Sequence, residues 1–135
     1  MAQRYLLDTN VVSYFLSHRP PEVRKHMDQV GLASTAISAI TEAELRYGLA
    51  KKPEAIRQRY AVEAFLANAT ILAWDSAAAK RYGALRVQQQ RKGRPLSTED
   101  LMIAAHALSA GLKLVTHDEA FSYVDGLKTE DWTVA

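Results

Sequence analysis

Short apolar segments alternate with helical patterns along this chain, and this alternation restricts the possible fold more than any other feature. The segments predicted to be strands are residues 4–7, 32–37, 70–74 and 112–116. The segments predicted to be helices are residues 11–16, 20–30, 39–51, 53–68, 76–91 and 98–110. Strands that alternate with helices predict a mostly parallel sheet with helices on both faces, which is a three-layer α/β/α sandwich.

Length and composition set the broad class of the protein. A chain of 135 residues that is 48% hydrophobic fits one domain over residues 1–135. Residues 101–112 form the longest uncharged apolar stretch, which is too short to cross a bilayer, so no membrane span is expected. The N-terminal residues lack the pattern of a signal peptide and the chain has no cysteine, so we expect a cytoplasmic protein.

A basic segment over residues 76–98 contains no acidic residue. Its cations are Lys80, Arg81, Arg86, Arg91, Lys92 and Arg94. Such a run is typical of a solvated helix face, and it is equally typical of a rim that contacts nucleic-acid phosphates. The net charge of +2 is too small to decide between the two.

Acidic residues follow the predicted strands. Asp8 and Asp118 come directly after strands, Asp100 lies in the first turn of a helix, and Glu44 lies on the helix after residues 32–37. Ligands of open parallel sheets bind beyond the carboxyl ends of the strands. We therefore expect the four carboxylates to share one cleft.

Three of these carboxylates also have a purely structural interpretation. Asp8 and Asp118 are good N-cap residues for the helical segments that follow them, and Ser97 with Asp100 fits a capping box. Capping alone explains each residue without any metal. The sequence leaves both interpretations open for each of them.

Glu44 has no such explanation. It lies within the helical stripe that runs from Ile40 to Tyr47, so we expect it to point toward the core or the edge of the stripe. Glu42 is spaced to pair with Arg46 on the same helix. A carboxylate near a core needs a cation or hydrogen-bond donors. Several carboxylates in one cleft predict a divalent cation, and oxygen ligands favour Mg²⁺ or Mn²⁺.

Five motifs in order along nearly the whole chain resemble the PIN-domain family, and more closely the VapC toxins of bacterial toxin–antitoxin pairs. They are LLDTN, TEAELRYG, GRPLSTEDLMIAAHAL, LVTHDEAF and GLKTEDW. The resemblance implies a PIN-type α/β/α sandwich, metal-dependent RNA cleavage with transfer RNA as a candidate target, a homodimer, and inhibition by a cognate VapB-like antitoxin. The chemistry would be hydrolysis, in which a divalent cation activates water and offsets charge on the leaving oxygen.

The resemblance also implies roles for individual residues. The catalytic residues would be Asp8, Glu44, Asp100 and Asp118. The metal ligands would be Asp8, Asp100 and Asp118, although many members of the family have Asn at the last position, which leaves direct ligation there open. Supporting roles fall on Thr9, Thr116 and Arg46, and RNA contacts on Arg91, Lys92 and Arg94. The two threonines are equally well interpreted as structural hydroxyls that bond to the backbone.

Other functions remain as alternatives. A phosphotransfer domain also places an aspartate after its first strand, but Asp8-Thr9-Asn10 lacks the second aspartate of that pattern. The main alternative is a catalytically weak module of the same fold that binds RNA or an antitoxin. His106 lies in an apolar helix and is interpreted as a packing residue, as is Trp132.

Overall fold

The computed structural model describes residues 2–94 and 96–135, and across these residues it has five strands and six α-helices. The strands are β1 (Tyr5–Leu7), β2 (Thr35–Ser38), β3 (Ile71–Leu72), β4 (Lys113–Val115) and β5 (Thr129–Glu130). The helices are α1 (Thr9–Ser17), α2 (Pro21–Val30), α3 (Ala39–Lys51), α4 (Ile56–Asn68), α5 (Ser76–Lys92) and α6 (Thr98–Ala110). Two short 3₁₀ helices span Leu32–Ser34 and Glu119–Tyr123. Pro95, which belongs to the basic segment over residues 76–98, lies outside the described residues.

The strands form one sheet in the order β3-β2-β1-β4-β5, and every adjacent pair is parallel. The first strand of the chain therefore lies at the centre of the sheet. Tyr5 is aligned with Thr35 on one side and with Lys113 on the other. Parallel neighbours need crossover connections, and the helices supply them. The predicted parallel sheet is confirmed.

Alternate residues of the central strands serve two separate cores. Leu7 belongs to a buried cluster with residues of α1, α2, α3 and α4 and with Trp132. Leu6 belongs to a second buried cluster with residues of α5 and α6. Successive side chains of a strand point to opposite faces, so helices must cover both faces of the sheet. The three-layer α/β/α sandwich is thus the arrangement that buries both leucines.

All four predicted strands are shorter than their sequence patterns, and the structure shows a local reason for two of them. Residues 32–34 form a 3₁₀ helix instead of a strand, because the Ser34 hydroxyl donates to the carbonyl oxygens of Val30 and Gly31 at 2.9 and 2.8 Å. Trp74 lies outside β3, where its Nε1 donates to the Met102 carbonyl of α6 at 3.0 Å. Side-chain hydrogen bonds have replaced ladder hydrogen bonds in both places.

The predicted helix starts are confirmed where a side chain caps them. Asp8 Oδ1 accepts a hydrogen bond from the backbone N–H of Val11 at 2.8 Å, and Ser38 Oγ accepts one from Ile40 at 3.1 Å. Gly111 ends α6 with a φ of 68°, a left-handed conformation that glycine adopts without strain. The helix predicted from residue 53 begins three residues later, at Ile56. No helix in the described ranges is long and apolar enough to span a bilayer.

The packing role predicted for His106 is confirmed. Its ring is 3% exposed, and its Nδ1 lies 2.8 Å from Ser38 Oγ. Because Ser38 already accepts from the Ile40 N–H, its hydroxyl hydrogen is free to point at His106. Burial lowers the pKa of His106 and favours the neutral ring that accepts this hydrogen bond. This contact joins α6 to the end of β2, close to the candidate site.

Replacing Ser38 with alanine should therefore remove a helix cap and leave a buried ring nitrogen without its partner. We expect Ser38→Ala to lower the free energy of unfolding by about 3 kcal/mol in urea denaturation. Ser122→Ala is the control, since that exposed hydroxyl bonds only to Glu119 within its own 3₁₀ helix and its loss should change stability by less than about 0.5 kcal/mol. Equal effects of the two substitutions would contradict the link between α6 and β2.

Candidate active site

Asp8 occupies the junction of β1 and α1 and combines both roles predicted for it. Its side chain caps α1 through Oδ1, and its backbone N–H donates to the Val115 carbonyl of β4 at 3.1 Å. Asp8 is only 6% exposed. The central position of β1 therefore fixes this carboxylate between the two halves of the sheet, so capping does not exclude a functional role.

The surroundings of Asp8 disfavour its charged form. Its pKa is raised to about 6, mainly because burial removes water from the carboxylate, and the charges of Asp100 and Asp118 raise it further. Hydrogen bonds with Thr116 and Val11 oppose this shift. Relative to an aspartate in water, the rise from the usual 3.8 to about 6 means that the folded protein destabilises the charged form by about 3 kcal/mol against the protonated form.

Asp100 lies in the first turn of α6. Its backbone N–H donates to the Ser97 hydroxyl at 3.2 Å, which is half of the predicted capping box. Burial raises the pKa of the Asp100 carboxyl, and the charges of Asp118, Glu44 and Glu99 add to the effect. The charges that act on Asp100 therefore come from Asp118 after β4, from Glu44 on α3 and from Glu99 on α6 itself. The charges of the four predicted residues thus act on one another at this edge of the sheet, and their catalytic and metal-binding roles stay predictions.

Asp118 follows β4 at the same edge of the sheet. Its backbone N–H donates to Thr116 Oγ1 at 3.0 Å, and its Oδ1 accepts a hydrogen bond from the Ala120 N–H at 2.9 Å. The predicted capping of residues 119–123 is confirmed. Asp118 is more exposed than Asp8, so it lies on the open side of the cleft.

Glu44 reaches the site from α3, although the stripe predicted to carry it is wrong. Tyr47 is 64% exposed, and the buried residues of α3 are Thr41, Leu45 and Leu49. Glu44 lies next to this stripe and is half-buried. Its Oε1 accepts a 2.6 Å hydrogen bond from the Thr9 hydroxyl of α1. Thr9 also lies 3.2 Å from Thr41 Oγ1.

Both candidate threonines contact site residues. The Thr9 hydroxyl bonds to a carboxylate, whereas Thr116 Oγ1 accepts from the backbone of Asp118 and lowers the pKa of Asp8. Thr116 thus combines the structural interpretation with contact to the site. The hydroxyls hold Glu44 and Asp118 in place on opposite sides of Asp8.

The candidate basic residues lie farther out. Arg46 is shared between Glu42 at 2.9 Å and Glu63 of α4 at 3.2 Å, which confirms the predicted pairing with Glu42. Both ion pairs are exposed at the surface of α3 and α4. Arg46 therefore has protein partners that an RNA phosphate must compete with.

The cations that end α5 lie beside the 3₁₀ helix that follows Asp118. Lys92 Nζ lies 2.7 Å from a carboxylate oxygen of Asp125, and the Arg94 guanidinium stacks 3.9 Å from the centre of the Tyr123 ring. Arg91 is exposed on the last turn of α5. The basic rim predicted from the sequence is therefore partly held in place by its neighbours.

The donor set of the site fits a hard divalent cation. Asp8, Asp100, Asp118 and Glu44 offer oxygen atoms alone, as Mg²⁺ and Mn²⁺ prefer. Among residues 2–94 and 96–135, no three acidic or histidine side chains lie close enough to form a ready-made cage. The carboxylates are near enough to repel one another, and a cation would offset that repulsion.

At the same edge of the sheet, three residues form a hydrogen-bonded group, the His117 cluster, that was not predicted from the sequence. His117 Nδ1 lies 2.8 Å from Asp131 Oδ2 and 3.1 Å from Thr133 Oγ1. Asp131 raises the pKa of His117 through this hydrogen bond and its charge. Asp131 and Thr133 follow β5, a two-residue strand that the apolar pattern does not reveal. Only the tertiary structure brings these three residues together.

The raised pKa of Asp8 predicts how stability depends on pH in the absence of metal. As pH rises from 3.8 to about 6, the unfolded chain ionises Asp8 first, so the folded state loses stability across this window. Asp8→Asn keeps an oxygen that can cap α1 and removes the charge. We expect the variant to be more stable than wild type by up to about 3 kcal/mol at pH 7.5, and the difference to approach zero near pH 4.

Urea denaturation in EDTA at the two pH values measures this difference. Asp28→Asn, on the exposed face of α2, is the matched control and should change little at either pH. If wild type and Asp8→Asn had the same free energy of unfolding at pH 7.5, burial would not destabilise the charged Asp8 carboxylate.

Comparisons with known proteins agree with this geometry. Residues 5–127 match the PIN domain, and PIN-domain nucleases generally depend on divalent metal ions. The chain is 37% identical to the tRNA(fMet)-specific endonuclease VapC of Shigella flexneri over 96% of this chain and 98% of that protein. It is 36% identical to ribonuclease VapC2 of Haemophilus influenzae over the same shares.

A solved structure shows the same likeness. The crystal structure of DNA-bound VapBC from Salmonella typhimurium contains a chain that superposes with a TM-score of 0.89 at 34% identity, covering 96% of this chain and 98% of that one. The sheet order, the carboxylates at its edge and these matches agree with one another. The chain therefore belongs to the PIN-domain family, among the VapC ribonucleases of toxin–antitoxin pairs.

Proposed function

We propose that this chain is a divalent-metal-dependent endoribonuclease that acts as the toxin of a VapBC-type pair and hydrolyses RNA phosphodiester bonds. One observation carries the proposal. Asp8 is a buried carboxylate whose pKa is raised to about 6 by burial and by the charges of Asp100 and Asp118. Helix capping accounts for Asp8 and Asp118 singly, whereas a bound cation would offset the repulsion among the neighbouring charges.

Asp8, Asp100 and Asp118 would hold Mg²⁺ or Mn²⁺, and Glu44 would add a fourth negative charge from α3. When bound, the metal would activate water and offset charge on the leaving oxygen. The Val11 N–H and Thr116 fix the Asp8 carboxylate, and the Thr9 hydroxyl fixes Glu44. These residues position oxygen ligands around the scissile phosphate and form no bond to it.

The basic rim supplies contacts to RNA outside this centre. Arg91, Lys92 and Arg94 end α5 and its following loop, near the 3₁₀ helix that Asp118 caps. Their contacts with phosphates give affinity without sequence choice. Arg46 would also contact a phosphate if the RNA displaced Glu42 or Glu63 from its guanidinium group. Transfer RNA is the substrate class that we propose, because the S. flexneri relative is named for tRNA(fMet).

A VapB-like antitoxin is the proposed protein partner, since the aligned structures are VapBC complexes. A groove of about 540 Å³ between α1, α3 and α4 opens beside the site, and its lining includes Thr9, Glu44, Leu45 and Val62. A partner segment in this groove would block access to the carboxylates. We also propose a homodimer, which would cover the exposed side chains of Tyr47 and Tyr60.

The alternative is a module of the same fold that binds RNA or an antitoxin with little turnover. All four carboxylates are present and electrostatically coupled, which supports an active enzyme. We propose that residues 1–135 act as one unit and that cleavage takes place on RNA in the cytoplasm.

Metal binding should appear as a gain in thermal stability. A cation present at about 100 times its Kd should stabilise the folded state by about 2.7 kcal/mol, because it binds only there. We expect Mn²⁺ or Mg²⁺ to raise the Tm of wild type reversibly, with EDTA restoring the starting value. Asp8→Asn and Asp100→Asn should lose most of the rise, whereas Asp28→Asn should keep it. A rise of the same size in all four proteins would indicate binding elsewhere.

Cleavage of total cellular RNA by antitoxin-free protein tests the activity itself. Wild type should produce discrete cuts with Mg²⁺ or Mn²⁺ and none with EDTA, while folded Asp8→Asn and Asp100→Asn should be at least about 100-fold slower. Asp28→Asn should cut as wild type does. Equal cutting by every variant would reveal a contaminating nuclease, and a metal-responsive wild type that cuts no RNA would favour the binding module.

A further inference from the structure

The His117 cluster lies at the carboxyl edge of the sheet beside the proposed metal ligands. His117 follows Thr116 at the end of β4, and Asp131 follows β5, the parallel neighbour of β4. His117 Nδ1 lies 2.8 Å from Asp131 Oδ2, and Asp118 is the next residue in the chain. The proposed chemistry uses none of the cluster.

Hydrogen bonding fixes which ring nitrogen of His117 faces the protein. The Thr133 hydroxyl donates to Asp131 Oδ1 at 2.6 Å, and the Thr133 backbone N–H donates to the same oxygen at 2.8 Å. The hydroxyl hydrogen is therefore committed to Asp131. His117 Nδ1 then faces two acceptors, Asp131 Oδ2 at 2.8 Å and Thr133 Oγ1 at 3.1 Å. Nδ1 must carry a hydrogen in this arrangement.

The other ring nitrogen is left for a ligand. Nε2 lies across the ring from the contacts of Nδ1, and the His117 side chain is 60% exposed. A ring held through Nδ1 by a carboxylate is fixed in orientation, as is seen for histidines that work in active sites. These contacts join the segments that follow β4 and β5, and they use Nδ1 and not Nε2.

We propose that His117 Nε2 hydrogen-bonds the ribose 2′-hydroxyl of the nucleotide on the 5′ side of the scissile phosphate, and thereby favours RNA over DNA. The proposal rests on the proposed function. The proposal places the scissile phosphate at Asp8, Asp100 and Asp118 and the ribose on its 5′ side against His117, which directly precedes Asp118 in the chain. Base edges lie farther from the phosphate than this hydroxyl does.

The chemistry of the two groups also agrees. A 2′-hydroxyl both donates and accepts, so it can bond Nε2 whether or not that nitrogen carries a hydrogen. A phosphate oxygen accepts only. The 2′-hydroxyl is also the group by which a protein distinguishes RNA from DNA at a given nucleotide. His117 would thus be a specificity residue for the substrate and take no part in breaking the bond.

The test is a cycle of protein and substrate changes. His117→Gln retains donor and acceptor atoms near the position of Nε2, whereas His117→Leu retains the bulk alone. Each protein cleaves an RNA oligonucleotide that wild type cuts, and the same oligonucleotide with one 2′-deoxyribose on the 5′ side of the cut. The rise in Tm with Mn²⁺ should equal that of wild type in both variants, which separates this contact from damage to the metal site.

For wild type and His117→Gln, we expect the deoxyribose to lower kcat/KM about tenfold, the effect of one hydrogen bond. His117→Leu should cut the all-ribose substrate about tenfold more slowly and should not distinguish the two substrates. If the deoxyribose lowers kcat/KM by the same factor in His117→Leu as in wild type, the two changes act independently and the proposal is overturned. A wild type that cuts both substrates equally would also overturn it.

A binding experiment separates failure of this contact from failure of the proposed function. Affinities for a single-stranded RNA from the tRNA(fMet) sequence and for its DNA counterpart are measured by fluorescence anisotropy with Ca²⁺, which also takes oxygen ligands, in place of Mg²⁺ or Mn²⁺. The ratio of the two affinities should fall about tenfold in His117→Leu. An unchanged ratio overturns the contact even if wild type cleaves RNA. A changed ratio with no cleavage by any form retains the contact and overturns the nuclease.

Discussion

The pairing of β1 with β2 on one side and β4 on the other is the contact on which the rest of the structure depends. It places the first strand at the centre of the sheet, with Leu6 and Leu7 buried in opposite cores. The residue after such a strand is flanked by the ends of both neighbouring strands. Asp8 is therefore desolvated by the topology itself, and the helices complete its enclosure.

The fold tolerates this carboxylate because it also supplies partial compensation. The Val11 N–H and Thr116 lower the pKa of Asp8, although not enough to offset burial and the charges of Asp100 and Asp118. These hydrogen bonds hold the Asp8 carboxylate in the folded protein without a ligand. A cation that offsets the remaining repulsion would stabilise the folded state further. Functional sites commonly retain unfavourable interactions of this kind, which the remainder of the fold stabilises.

Local patterns were sufficient to predict the sheet and the caps, because each depends on a few neighbours in sequence, whereas the roles of the site residues stay predictions. Asp8 and Ser38 cap helices as predicted. The helical stripe that selected Glu44 was wrong: Tyr47 on that stripe faces solvent, and a hydrogen bond from Thr9 on another helix holds Glu44 beside α1. A helical period gives the faces of a helix but not which face is covered.

The sequence could not reveal contacts that depend on short or irregular strands. β5 has two residues, Thr129 and Glu130, with no apolar alternation to detect. The cluster of His117 with Asp131 and Thr133 exists only because β5 lies parallel to β4. In the same way, residues 32–34 have apolar and polar residues that suit a strand, and hydroxyl bonds to the backbone decide against it.

The pairing of Tyr5 in β1 with Lys113 in β4 has a further consequence during synthesis. A nascent chain on the ribosome carries Asp8 from the beginning, but the cleft cannot close until the segment through β4 has emerged and docked. The site is therefore a property of the whole fold, because two strands that are far apart in the sequence must pair before Asp8 and Asp118 can meet.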